Sequence, residues 1–229
     1  ISPAMSRLPW LSPDDPPEAF PPTALALHDP PGLLAGGGDL SPARLLAAYG
    51  RGIFPWYSTG EPVLWWAPDP REVIFPGHWH ASRSLLRTLR RGHLRVTRNQ
   101  AFDAVVGQCA APRARSPGTW ITPAMRAAYG ALHQLGHAHS VEVWQGSALV
   151  GGVYGVRVGR VFCGESMFSR VADASKVALH NLLDPNGTDP IALLDCQMPS
   201  AHLRSLGSSP LPRAQFERWL LPARAVGDG

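Results

Sequence analysis

Apolar residues recur along this chain with two different periods, and the alternation between them outlines its elements. A helical period follows Ser41-Pro42, where Leu45, Leu46 and Tyr49 share one face. Serine before proline is a helix start, and Gly50 or Gly52 is the expected stop. Thr122-Pro123 opens a second such helix, with Met125, Ala128, Tyr129, Leu132 and Leu135 on its apolar face and Gly136 at its end. Shorter helices are predicted over 82–91, from Asn99 to about Cys109, over 174–183, at the turn 202–206 and over 214–221. In the first of these, Leu86 and Leu89 are placed toward the core. The strand period governs Val73-Ile74-Phe75, Arg95-Val96-Thr97 and His139–Trp144. It returns in Ala148–Val156, read as broken by Gly151-Gly152, and in Arg160–Ser166. The last three form an antiparallel meander. Ile191–Asp195 is an apolar run ending in an acid, expected to be a strand buried on both faces.

Proline and glycine change the picture at the N-terminus. Paired prolines at 16–17, 21–22 and 30–31 exclude a long helix in residues 1–40, which are expected to be irregular, with a tight turn at Gly36-Gly37-Gly38. Trp56, Trp65 and Trp66 follow within eleven residues. Trp65 and Trp66 read as a plug between two subdomains, and Trp56, placed after a proline, as a ligand-facing ring. The chain divides into a small N-terminal α/β domain, 1–70, and a larger one, 71–229. Helix, three antiparallel strands, helix, strand, helix in the second part is the order of a Gcn5-like N-acetyltransferase layout, so the class is α/β (α+β).

Charge and cysteine usage narrow the setting. With 45% hydrophobic residues and 229 positions the chain can bury a core. A net charge of +4 permits a polyanionic partner without requiring one. Cys109, Cys163 and Cys196 are widely spaced, against a disulfide framework or a zinc cluster and in favour of a reducing, cytoplasmic setting. No membrane span and no leader are expected.

Four arginines, Arg83, Arg87, Arg90 and Arg91, share one face of the helix over 82–91 with no acid among them. Such a face is either solvated surface or a contact for nucleic-acid phosphates. In Phe162–Arg170, Glu165 is a single acid among Phe162, Met167 and Phe168. It is read either as a surface residue or as a carboxylate on the lip of an apolar pocket. His137 and His139 lack a third ligand nearby, and no metal is expected.

Several segments together closely resemble one family. They are Arg51–Trp56 with Leu64–Pro70; Gly118–Thr122; Leu135–Trp144; and Phe162–Arg170 with Leu194–Gln197. These are similar to the leucyl/phenylalanyl-tRNA–protein transferases over about residues 30 to 210. The resemblance implies an aminoacyltransferase that moves Leu, and also Phe and Met, from aminoacyl-tRNA to the α-amine of a protein beginning with Arg or Lys. The transfer marks the acceptor for N-degron proteolysis. It implies a monomer that works without a cofactor or membrane. It also implies that Asp195 and Gln197 lie beside the reacting amine, that Glu165 holds a cation of the acceptor, and that Trp56, Trp120, Phe162, Met167, Leu179 and Leu194 surround the aminoacyl end. Val153 and Leu182 stand where Met and Phe are expected, and the loop from Asp184 to Pro190 is richer in Pro and Asp than usual.

Aminolysis of an activated ester is largely a matter of positioning, which such a site would supply. Two residues apart on a strand, Asp195 and Gln197 would share one hydrogen-bond chain, Asp195 fixing the Gln197 amide. The competing reading is a CoA-dependent N-acetyltransferase, but its Gly-rich phosphate turn is missing from Ser169–Lys176. A non-catalytic peptide- or RNA-binding module is the third.

Overall fold

A computed structural model describes residues 8–111 and 121–221. The first elements are β1 (Trp10–Leu11), β2 (Leu33–Gly37), α1 (Pro42–Tyr49), β3 (Phe54–Pro55) and β4 (Leu64–Trp66). Their strands form a four-stranded sheet in the order β1-β2-β4-β3. Residues 8–40 are therefore less irregular than their prolines imply. Gly36 and Gly37 belong to β2, where the Trp10 ring lies so close that a Cβ at either position would overlap it. Ser41 caps α1 through a hydrogen bond from the Arg44 N–H, with Pro42 in its first turn, and Gly50 is its C-cap. Trp65 is fully buried and its indole N–H donates to the Gly37 carbonyl, while Trp66 donates to the Trp56 carbonyl.

The remaining elements are β5 (Arg71–Ile74), α2 (Arg83–Arg91), β6 (Arg95–Arg98), α3 (Phe102–Ala110), α4 (Pro123–Gln134), β7 (Ala138–Gln145), β8 (Ala148–Val158), β9 (Val161–Ser169), α5 (Ala174–Leu182), β10 (Leu193–Gln197), α6 (Ala201–Ser205), β11 (Ser209–Leu211) and α7 (Arg213–Leu220). Their strands make a seven-stranded sheet, β11-β5-β10-β9-β8-β7-β6. β7, β8 and β9 form the expected meander, and β10 returns parallel to β9 after α5.

Several local expectations are corrected. β8 runs unbroken through Gly151 and Gly152; the missing Cβ at Gly151 lets α5 approach, since a Cβ there would lie 2.5 Å from the Ala174 Cβ. β9 continues to Ser169, which places Glu165 within a strand rather than at its end. Asn99 adopts φ 57° and does not cap α3. Its side-chain oxygen accepts from the Ser140 N–H, and α3 begins after Ala101. On α2 it is Leu85 that is buried, with Leu89 partly buried, whereas Leu86 is exposed; Leu135, at the C-cap of α4, is exposed as well.

Side chains alternate across the large sheet and feed two cores. Tyr154, Val161 and Cys163 join a cluster with α3, α4 and the N-terminal sheet, including Tyr49, Trp65 and Phe216. Val153, Phe162 and Leu194 join one with α5, including Leu179 and Leu182.

Candidate active site

The site begins where β9 and β10 stop pairing. Their parallel register runs Leu193–Val161, Leu194–Phe162 and Asp195–Cys163, and ends there. Two residues further along each strand, Gln197 and Glu165 meet through their side chains, with Gln197 Nε2 donating to Glu165 Oε1 at 3.0 Å. On its other edge β10 carries an irregularity against β5 between Asp195 and Gln197, and Gln197 sits at φ 64°. That conformation is uncommon for a side-chain-bearing residue and recurs at functional positions.

Asp195 is completely buried, and its partner is one that sequence reasoning missed. Arg71, at the start of β5, donates through Nε and one terminal nitrogen to the two Asp195 oxygens, each at 2.8 Å. Its other terminal nitrogen donates to the Gly52 carbonyl, and its guanidinium carbon lies 4.8 Å and 4.7 Å from the Phe54 and Phe216 ring centres. Bidentate pairing of this kind fixes geometry as well as charge. Asp195 also accepts the backbone N–H of Gln197 at 2.8 Å. The expectation that Asp195 fixes the Gln197 amide is thus corrected. Asp195 holds the Gln197 backbone, while Glu165 holds its side chain, because the backbone turn at Gln197 swings the two side chains apart.

Glu165 is not a surface acid; it borders an apolar cavity. It is buried between two tyrosines also missed from sequence, where they read as ordinary members of apolar helix faces. Tyr49 on α1 donates to Oε1 at 2.6 Å, Tyr129 on α4 donates to Oε2 at 2.9 Å, and the two phenolic oxygens are 2.7 Å apart. Burial pushes the Glu165 carboxyl up to about 7, against the lowering effect of the hydrogen bonds from Tyr49 and Tyr129. The one sequence signal for these roles is that a buried tyrosine or arginine needs a polar partner.

Beside this pair lies a cavity of about 230 Å³ whose walls include Val153, Met167, Leu179, Leu194, Cys196 and Leu203, with Glu165 and Gln197 at its polar side. Met167, Leu179 and Leu194 therefore share one cavity. Phe162 and Leu182 do not join them; they line a separate cavity with Arg98, His139, Arg157 and Asp189. Trp56 is 44% exposed, its ring packed edge-on against Trp66 at 5.4 Å, and does not line the cavity. Trp120 lies outside the described residues. Burial raises the Cys163 and Cys196 thiols above their usual range, so neither offers a thiolate near neutral pH.

Arg83, Arg87, Arg90 and Arg91 all lie exposed on α2. The helix is docked by Leu85 and by Ser84 and Thr88, both of which donate to Asp173 at the start of α5.

The sequence pattern of the family described as "Leucyl/phenylalanyl-tRNA protein transferase" matches residues 73–221, and that of its N-terminal domain matches 38–69. The chain belongs to this family. Curated proteins named leucyl/phenylalanyl-tRNA–protein transferase are similar to it over nearly their whole length. One from Stutzerimonas stutzeri is 55% identical, covering 91% of this chain and 92% of its own. One from Aromatoleum aromaticum is 56% identical over 91% and 87%, and one from Edwardsiella ictaluri 57% over 90% and 84%. The chain is accordingly an aminoacyltransferase, with an aminoacyl-tRNA as donor and a protein as acceptor. Among solved structures, a GCN5-related N-acetyltransferase from Kribbella flavida aligns at TM-score 0.33 and 12% identity, covering 72% of this chain and 59% of its own. A conserved protein of unknown function from Staphylococcus epidermidis aligns at 0.40 and 12%, covering 79% and 68%. Among the described residues no helix is long and apolar enough to cross a membrane.

Proposed function

We propose that this transferase moves Leu or Phe from the 3′ end of its tRNA onto the α-amine of proteins beginning with Arg or Lys, and so tags them for degradation. The observation that carries the reading is the apolar cavity that ends at the joined side chains of Gln197 and Glu165. Val153, Met167, Leu179 and Leu194 form a wall suited to an aliphatic or aromatic donor side chain, Met included. Gln197 gives its N–H to Glu165, which leaves its amide oxygen as an acceptor for the incoming amine. Trp56 or Trp120 offers a ring for the unpaired terminal adenine, as aromatic residues commonly do. The arginines of α2 neutralise tRNA phosphates.

A CoA-dependent acetyltransferase is disfavoured by the start of α5. There Asp173 stands in place of a phosphate-binding turn, its carboxylate held by Ser84, Thr88 and Lys176. A diphosphate would meet a negative charge at that point.

Transfer of radiolabelled Leu from charged tRNA to a protein starting with Arg, beside the same protein starting with Ala, tests the reading. Label on the Arg protein alone is expected. Equal labelling of both would remove the acceptor assignment, and labelling of neither would remove the reading.

A further inference from the structure

Aminolysis requires that a proton leave the attacking nitrogen, and two carboxyl groups stand at the site. Their hydrogen bonds separate their roles. Asp195 is fully buried, and its two oxygens already accept three N–H groups, two of them from a guanidinium. A proton arriving there would displace a charged hydrogen bond in the protein interior. Asp195 also borders the cavity, but its oxygens are taken up by these three N–H groups, and its hydrogen bond toward the Gln197–Glu165 pair is to the Gln197 backbone.

Glu165 is placed differently. Its oxygens and the hydroxyls of Tyr49 and Tyr129 make three close oxygen–oxygen contacts. Two phenolic protons are available for them, since each hydroxyl carries one and an ionised carboxylate none. With Glu165 ionised, one contact lacks a proton. With Glu165 protonated, three protons fill three contacts. The arrangement is therefore built to take up one proton, at a side chain that also touches Gln197 and borders the cavity.

We propose that Glu165 accepts the proton of the attacking amine, and that Asp195, clamped by Arg71, is a positioning residue that sets the Gln197 backbone. The proposal rests on the transfer reading above. The neutral α-amine attacks the ester carbonyl, forming the C–N bond, and one N–H proton passes to the Glu165 carboxylate. Collapse breaks the bond to the ribose oxygen, which takes up the proton held by Glu165 and leaves as the terminal hydroxyl of the tRNA. Glu165 thus returns to its starting state. The carboxyl's poise near neutrality, set first by burial, suits a base working at that pH. The titratable and charged groups around it are Tyr49 on α1, Tyr129 on α4, Tyr154 on β8, Cys163 on β9, Asp195 on β10 and Arg71 on β5. The tyrosine and cysteine groups are all raised by burial, so none of these four ionises near neutral pH.

Single-turnover transfer from saturating Leu-tRNA to two Arg-starting peptides, whose α-amines titrate about one unit apart, tests this across pH 5.5–9. Wild type is expected to show a rate that rises through about pH 7 with both peptides, because that limb belongs to Glu165. Glu165→Gln should lose the limb and fall by about 10²–10⁴ in rate. Asp195→Asn should be slower but keep the limb. Tyr49→Phe removes both a hydrogen bond to the carboxyl and the contact between the two phenolic oxygens, and should move the limb from its wild-type pH. A limb that persists in Glu165→Gln, or vanishes in Asp195→Asn, would overturn the assignment. Should Glu165→Gln not fold, an unmoved limb in Tyr49→Phe overturns it equally. Failure of wild type to transfer Leu at any pH would instead defeat the underlying reading.

Discussion

Glu165 is an acid whose protonated form burial favours, against the hydrogen bonds of Tyr49 and Tyr129, and this has a cost for stability as well as a use in chemistry. Its carboxyl titrates at about 7 in the folded chain against 4.5 as an isolated group. The folded state therefore binds the proton more tightly. The resulting stabilisation is fully present below about pH 4.5 and is lost as pH rises through 7. Glu165→Gln keeps the shape without the titration. We expect it to be more stable than wild type by about 3 kcal/mol at pH 8.5, with the difference disappearing near pH 4.5, in parallel denaturant titrations. A pH-independent difference would show that the carboxyl is not perturbed. Arg71 gives the converse case. Arg71→Met strands a buried carboxylate and should destabilise by about 3–5 kcal/mol, whereas Arg71→Met combined with Asp195→Leu should cost less than the single change. If the double variant is the weaker of the two, the pair contributes net stability. These residues were the least legible in the sequence. Asp195, Gln197 and Glu165 stand in motifs that a family resemblance can carry. Their partners lie 124 positions away for Arg71 and Asp195, and 116 for Tyr49 and Glu165. No local spacing reports such a contact.

The helix starts at Ser41 and Thr122 were legible in the sequence because a cap is a local event, whereas the one expected at Asn99 was not. Ser41, Ser82, Thr122 and Ser200 each accept the N–H three residues on. The glycines of β8 misled, since Gly151 serves a neighbour rather than its own strand. Gly151→Ala should push α5 away from β8, shift the cavity wall at Leu179 and lower the thermal midpoint, with helix content by circular dichroism little changed. An unaltered midpoint would mean that the helix yields freely. The basic face of α2 makes a claim of its own. Replacing Arg87 and Arg91 with Gln should weaken charged-tRNA binding and reduce its dependence on log salt by about one to two. An aminoacyl-adenosine donor, which has no phosphate backbone, should bind as before. Should tRNA affinity and its salt slope both stay unchanged, the arginines are solvated surface only.

The site exists because the small sheet and the large one share a core. Tyr49 comes from α1 beside the small sheet, Tyr129 from α4, Arg71 from the first strand of the large sheet, and Phe54 and Phe216 flank Arg71 from β3 and α7. The element order carried the α/β class and the meander, but the way β9 and β10 part beyond Asp195 arises only when the sheet is assembled. At that opening the apolar cavity meets the Gln197–Glu165 pair, and on the proposed reading Gln197 spans the donor's cavity and the acceptor's hydrogen-bonding group. Gln197→Ala, assayed for single-turnover Leu transfer to an Arg-starting peptide and for charged-tRNA binding on the same preparation, isolates that claim. The account predicts a transfer rate lower by about 10²–10³ with tRNA affinity within about twofold of wild type. Transfer at the wild-type rate, with tRNA bound equally well, would contradict it.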